Sequence, residues 1–429
     1  NQTQFQIDGV NSNAAMDQGA MAIPNVDAIA ELSVSTNSFS AEYGRDPVQV
    51  ILVTKSGGNE FHGSAWEFFQ NDALNARNTF AKTVPRLRFN QFGGSVGGPI
   101  KRNKTFFFVN LQHTINPNAT LFNQQNTLAT PAMLNGDLSS ISTPIIDPTT
   151  NQPFVGNIIP QNRISSASKF LSSYLLTSPT GRLVQNVPVQ HNVWDGTMRL
   201  DHAITSKQSI YGRWTVQNYL DTSVGYEPAA IQDTTLRQHN LGVNYNYALT
   251  PTILLTVSGG YIHSDFLSTS PGFTGKENLT DKAGIQGFPT TVRENVIGLP
   301  NVNISGYNGF GVPGFGTPER LWSYVKTIKS NLTVVRGGHT FGFGYEFDDD
   351  SVYGNHGSGN SRGTFGFNGQ YTGNGFADYL LGLTSSSNRN YPLAPFGLDH
   401  SPYSGLYAQD SWKVTPNLNH HRPRSRPMQ

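Results

Sequence analysis

The feature that most constrains this chain is a period-two alternation of apolar and polar side chains, sustained over segments of about twelve residues or more. His191 to Ile204 sets Trp194, Met198, Leu200 and Ile204 on one face and Asp195, Thr197, Arg199 and Asp201 on the other. Gln208 to Tyr219 opposes Ile210, Trp214 and Val216 to Tyr211, Arg213, Thr215 and Gln217. Leu241, Val243, Tyr245, Tyr247 and Leu249 alternate with Gly242, Asn244 and Asn246, and Phe341, Phe343, Tyr345 and Phe347 with Gly342, Gly344 and Glu346. A sandwich also alternates, but its apolar face meets a second sheet and its strands are nearer about six residues. Longer strands with one polar face suit a barrel, lipid outside and water inside. Trp194, Trp214, Tyr245, Tyr247 and Tyr345 are then expected near the borders of the apolar band, because Trp and Tyr favour membrane interfaces.

The connections agree. Tight turns at Lys101 to Asn103, Thr205 to Lys207, Thr250 to Thr252 and Gly337-Gly338 alternate with long polar loops at Asp72 to Leu87, Asn116 to Gln190, Asp221 to Thr235 and Ser268 to Glu319. Outer-membrane barrels have short turns at one end and long loops at the other. Counting by alternation gives about twelve strands, near 60–70, 89–99, 104–115, 191–204, 207–219, 236–249, 252–266, 321–336, 339–349, 362–370, 384–392 and 402–415. Gly375 to Leu383 has helical spacing and is expected as a short helix in a periplasmic turn. Ser166 to Leu176 is expected as a helix inside a long loop, which could be a lid or solvated padding.

Composition narrows the class further. With 44 Gly, 17 Tyr, 26 Phe and only 13% charged residues, the chain is unlike an ordinary soluble set. It holds no run of about 18 apolar residues, so a transmembrane helix is excluded and a membrane barrel is not. A net charge of +1 offers no field for nucleic acid. The absence of Cys suits a periplasm-facing protein without separating it from a cytosolic one.

The first sixty residues differ. An Asp8-Gly9 turn follows a short strand, Val26, Ile29, Ala30 and Leu32 share a helical face, and Val48 to Thr54 reads as a buried strand. Ser56-Gly57-Gly58-Asn59 then marks the change to alternating strands. On periodicity alone a small soluble α+β domain would suit these residues equally well.

The segments "EYG", "VTKSG", "FHGS", "NQFGGSVGGPI" and "KTFFF" occur in one order between residues 42 and 108. In that order they resemble the plug-to-barrel junction of TonB-dependent outer-membrane receptors of the Oar-like type. The resemblance runs from "FQIDGV" to "YAQDSWKVTPNL". It implies a barrel of about 22 strands, of which this chain holds about twelve, and a small α+β plug lobe at the N-terminus. Residues 1–58 would be the C-terminal half of the plug, 59–416 the N-terminal half of the barrel, and 417–429 a tail outside the native barrel. The implied function is to bind an extracellular ligand and move it across the outer membrane with energy from an inner-membrane complex. The partners would be outer-membrane lipid, a TonB-type coupling protein and an unidentified ligand; no cofactor and no nucleic acid is implied. The alternatives are a passive porin or a surface adhesin, and a soluble carbohydrate-binding sandwich.

Relative to that family the chain lacks a leader, a TonB-contacting box, the first half of the plug and about half the barrel. Asn419 to Pro427 reads "NHHRPRSRP", without alternation and with two Pro that cannot donate to a ladder, and is expected to be foreign to the barrel.

No enzyme is expected. Gly93-Gly94-Ser95-Val96-Gly97 matches a nucleophile elbow but is followed by a strand, and Gly309 to Gly314 matches a dinucleotide loop but contains Pro313 and leads to no helix; the glycines read as turns. Asp348, Asp349 and Asp350 could bind a hard cation, but alternation sends neighbours to opposite faces. The His residues are scattered, so no metal site is assigned. The functional surface is the polar inner face, where Asp195, Arg199, Asp201, Arg213, Gln217, Asn244, Asn246, Lys329 and Glu346 would hold a plug or meet a solute. Arg45 and Lys55 are plug-side contacts on the resemblance alone.

Overall fold

A computed structural model of the chain describes residues 3–15, 19–36, 41–43, 48–76, 84, 86–123, 127–224, 231–269, 277–287, 298–311, 319–355, 362–389, 397–415 and 418–428. Arg45 lies outside the described residues. Strands and helices are numbered along the chain.

The N-terminal lobe is one mixed sheet: β1 (Thr3–Ile7), β2 (Val10–Asn11), β3 (Ile29–Thr36) and β4 (Val48–Thr54), in the order β2-β1-β4-β3. The Asp8-Gly9 turn forms as expected, with both residues at positive φ, 52° and 80°, the geometry that Asp-Gly favours in a two-residue hairpin. The helical face expected through Val26 and Leu32 does not form. Asn25 caps a single 3-10 turn, Val26–Ala28, its side chain accepting from the Ala28 amide, and Ile29 already pairs with Thr54 at the start of β3. Pairing with β4 outweighs a four-residue helical pattern that is too short to propagate alone.

Among the described residues eleven strands build the wall. In chain order they are β5 (His62–Asn71), β6 (Arg88–Lys101), β7 (Thr105–Asn123), β10 (Val184–Thr205), β11 (Gln208–Val224), β12 (Ile231–Thr250), β13 (Ile253–Thr269), β15 (Glu319–Arg336), β16 (His339–Asn355), β19 (Gly397–Thr415) and β20 (Leu418–Met428). Each is antiparallel to its chain neighbour in one continuous sheet. The faces fall as the alternation requires: Leu241 and Val243 are 44% and 49% exposed, while Asn240 and Asn244, which flank them in the strand, are 0% and 5% exposed. Among the described residues no helix is long and apolar enough to cross a membrane.

The aromatic band is partly as expected. Tyr245 and Tyr247 lie near the Thr250 turn, whereas Trp194, stacked on His113 with ring centroids 3.8 Å apart, sits in the middle of β10. Trp214 and Tyr345 sit mid-strand too, Trp214 stacked on His239. The glycines of Gly93 to Gly98 lie inside β6, not in turns. They make room for rings: a Cβ on Gly93 would stand 2.6 Å from Trp66, and one on Gly98 2.3 Å from Phe61.

Two of the expected wall strands are not in the wall. The connection from β16 to β19 leaves and returns at the long-loop end, so everything in it lies there. It contains β17 (Thr364–Phe367), α4 (Gly375–Leu381) and β18 (Ser386–Asn388). The helix expected in a periplasmic turn is therefore at the opposite end of the sheet. Asn374 caps it, Gly382 ends it at φ 73°, and Phe376, Ala377, Tyr379 and Leu380 are all buried.

These elements join the other two long connections in a second lobe. It includes β8 (Ile146–Asp147), β9 (Gln152–Pro153), β14 (Asn301–Ile304), α1 (Pro131–Leu134), α2 (Ser166–Leu171) and α3 (Leu279–Lys282). Leu138, Ile145, Ile159, Leu299, Phe310 and Phe376 share one buried core. The expected loop helix is thus α2, extended by a 3-10 turn, Ser172–Tyr174, and it is packed structure, not padding.

The tail also departs from expectation: the backbone of Leu418–Met428 is a strand paired to β19. Pro423 and Pro427 are tolerated because this strand pairs on one side only.

Candidate functional site

The N-terminal lobe rests on the polar face of the wall, and Asp8 is the centre of the contact. The tight turn projects its carboxylate back onto β4, where it accepts from the Thr54 amide at 2.9 Å and the Thr54 hydroxyl at 2.7 Å. Two arginines from neighbouring wall strands meet it there. Arg199 Nη1 lies 3.3 Å from Asp8 Oδ1, and Arg213 Nε lies 3.1 Å from Asp8 Oδ2. The second approach is an ion pair that is off the line of a hydrogen bond.

Each arginine is held by the wall as well. Arg199 donates to Asp201 at 2.9 Å and to the Thr54 carbonyl at 3.1 Å, and stacks on Tyr211 at 4.0 Å. Arg213, wholly buried, donates to Thr215 at 2.9 Å and to Asn240 at 2.8 Å. Tyr211 closes the group by donating to the Asp8 carbonyl at 3.2 Å. A buried charge needs a partner and satisfied donors, and here two cations share lobe and wall acceptors.

Around this centre the surfaces interlock. Val10, just past the turn, fits over two glycines: a Cβ on Gly260 would stand 2.0 Å from Val10 Cγ1, and one on Gly242 3.5 Å from Val10 Cγ2. Asn240 donates to the Ser12 hydroxyl at 2.9 Å, and the Ala22 amide donates to Gln238 at 2.9 Å. Asn25 donates to Asn110. Ala14 and Met21 pack on Ile262 and Val325, an apolar spot on an otherwise polar face. Farther along, Lys329 and Asn331 donate to Glu42, at its carbonyl and its carboxylate. The linker to the wall is pinned where Asn59 exchanges hydrogen bonds with Asn103 of the β6–β7 turn, both at 2.7 Å.

Of the residues singled out from sequence, Arg199 and Arg213 touch the lobe, as does Lys329, and Asp201 orients Arg199. Asn244 lies beside Gly9, donates to Ser258 at 2.7 Å and accepts from Asn246 at 2.9 Å. Asp195 and Gln217 bond each other at 2.7 Å along the wall instead of reaching the lobe. Glu346 stands opposite Lys329 in the register. Lys55 is exposed, and its backbone amide donates to the Ala28 carbonyl at 2.9 Å. The three Asp separate by face, Asp348 accepting from Thr327 at 2.6 Å and Asp349 pairing with Lys326 at 3.1 Å. Asp8, Asn240, Gly242 and Gly260 were not singled out. From sequence Asp8 reads only as a turn former and Gly242 only as a member of an alternation, while Gly260 carries no signal.

The outer lobe carries its own charged pair. Arg163 donates to both oxygens of Asp147, at 3.0 and 2.9 Å. That bidentate bond, with help from the Thr149 amide, holds the Asp147 carboxyl well below the usual carboxylate range. Burial pushes the Tyr379 hydroxyl up, where it bonds Ser172 at 3.0 Å.

A long antiparallel sheet with an apolar exposed face, a polar face carrying a docked lobe, and loops gathered at one end is the wall of an outer-membrane β-barrel. Residues 53–420 match the family described as outer membrane beta barrel domain, and the chain belongs to that family. Its place is the outer membrane of a Gram-negative cell. It is 25% identical over 394 residues to the TonB-dependent transporter Oar of Myxococcus xanthus, covering 82% of this chain and 35% of that protein. The fold is similar to that of the outer membrane transporter YddB from Escherichia coli, with a TM-score of 0.54 at 8% identity over 99% of this chain and 50% of the other. The siderophore receptor PirA from Acinetobacter baumannii gives 0.51 at 14% identity, again over 99% and 50%. The chain thus spans half the length of these structures and about a third of the curated relative.

Proposed function

We propose that this chain is part of a TonB-dependent outer-membrane receptor: residues 1–58 act as plug, the eleven-stranded wall as barrel, and the outer lobe as its ligand-facing surface. The plug would yield to an inner-membrane energy source, reached through a coupling protein, to pass a ligand inward. The observation that carries this reading is the Asp8, Arg199 and Arg213 contact. It fixes the lobe by a few buried polar bonds and only a small apolar spot, a surface that can part and rejoin without exposing a large core. The similarity to the transporter Oar supports it. A passive porin would need no such removable contact.

The test uses a single cysteine, clean because the chain has none. With Ser12→Cys in the outer membrane of living cells, labelling by a membrane-impermeant thiol reagent should rise with the proton gradient and fall when an uncoupler collapses it. Labelling indifferent to the gradient would contradict active transport and leave the passive reading.

A further inference from the structure

We infer that the outer lobe carries a binding site for a neutral oligosaccharide, on the open face of its three-stranded sheet. The sheet has the order β14-β17-β18, and alternation divides it cleanly. Val302, Ile304, Phe365 and Phe367 turn into the lobe core. Asn301, Asn303 and Gly366 turn the other way and, with Ser386 and the loop through Tyr307, enclose a recess of about 500 Å³.

The chemistry of its lining defines the ligand of the recess. None of the described residues lining it is charged; apart from Ile304 and the rings of Phe367 and Tyr307 they are Asn, Ser and Gly. An anionic ligand or a metal chelate of high charge would need cationic donors, which the described lining does not offer. Asn and Ser side chains donate and accept at once, as sugar hydroxyls do, so each hydroxyl can be met in both senses.

The site faces the medium only if the long-loop end is extracellular, and to that extent the inference rests on the receptor reading. The purified full chain in detergent is titrated calorimetrically with maltohexaose, cellohexaose, chitohexaose and mannohexaose. At least one should bind at millimolar concentration or below. Asn303→Ala with Ser386→Ala should weaken that binding about tenfold or more, while Arg182→Ala, elsewhere on the lobe, leaves it unchanged. Asn303→Asp, which keeps the shape and adds a charge, should give a similar loss with the lobe still protease-resistant. Failure of all four sugars to bind a protease-resistant lobe, or undiminished binding in the paired variant, overturns the inference. Gradient-dependent labelling at Ser12→Cys would then still stand, so the two readings fail separately.

Discussion

At the scale of single residues the account turns on Asp8. Its side chain is 2% exposed and shared by two arginines, one of them wholly buried. Asp8→Asn keeps the size and the tolerance for positive φ but removes the charge, leaving Arg213 with neutral acceptors alone. Breaking a buried pair from one side costs about 3–5 kcal/mol. The expected outcome is a lobe that comes off the wall at lower urea, read as trypsin cleavage before Gly57-Gly58, with the wall's strand signal unchanged. Gly260→Ala should weaken docking by about 1–3 kcal/mol through overpacking, and Val10→Ala in the same chain should restore it. Asp8 was visible in the sequence as a turn residue. Its carboxylate partner Arg199 is 191 positions away, a separation that no local pattern carries.

At the scale of elements, the wall strands were legible because each one repeats the same signal over many residues. The outer lobe was not. Thr364–Phe367 also alternates, and alternation cannot tell a short strand on a small core from a wall strand seen in part. The length of the connection was the usable sign, since β16 ends at Asn355 and β19 begins at Gly397. The lobe's behaviour in acid follows from Asp147. Its folded carboxyl titrates below its unfolded one, so its contribution is full above the ordinary carboxylate range near pH 4 and is lost as the pH falls through the lower folded value. Pepsin cutting within the lobe should therefore increase as the pH is lowered beneath that range. Asp147→Asn should flatten this dependence and make the lobe easier to cut even at the top of the range.

At the scale of the whole molecule, the division of faces is the central claim, and it was the part most fully written in the sequence. Trp194, Leu200, Leu241 and Phe343 are exposed on one side, and Arg199, Arg213 and Asn244 meet or neighbour the lobe on the other. What the sequence did not carry was the fit between lobe and wall, because small inner residues such as Gly242 and Gly260 look alike whether they face water or Val10. A lysine at Leu241 or Val243 should cost the inserted sheet about 2–4 kcal/mol. The most direct measurement is paramagnetic accessibility of single spin-labelled cysteines at Asn240, Leu241, Val243 and Asn244 in membranes. Labels at 241 and 243 should relax strongly with lipid-dissolved oxygen and weakly with a water-soluble nickel complex, while labels at 240 and 244 respond weakly to oxygen. Equal oxygen response at all four positions, or a stronger response at 240 and 244, would contradict the account.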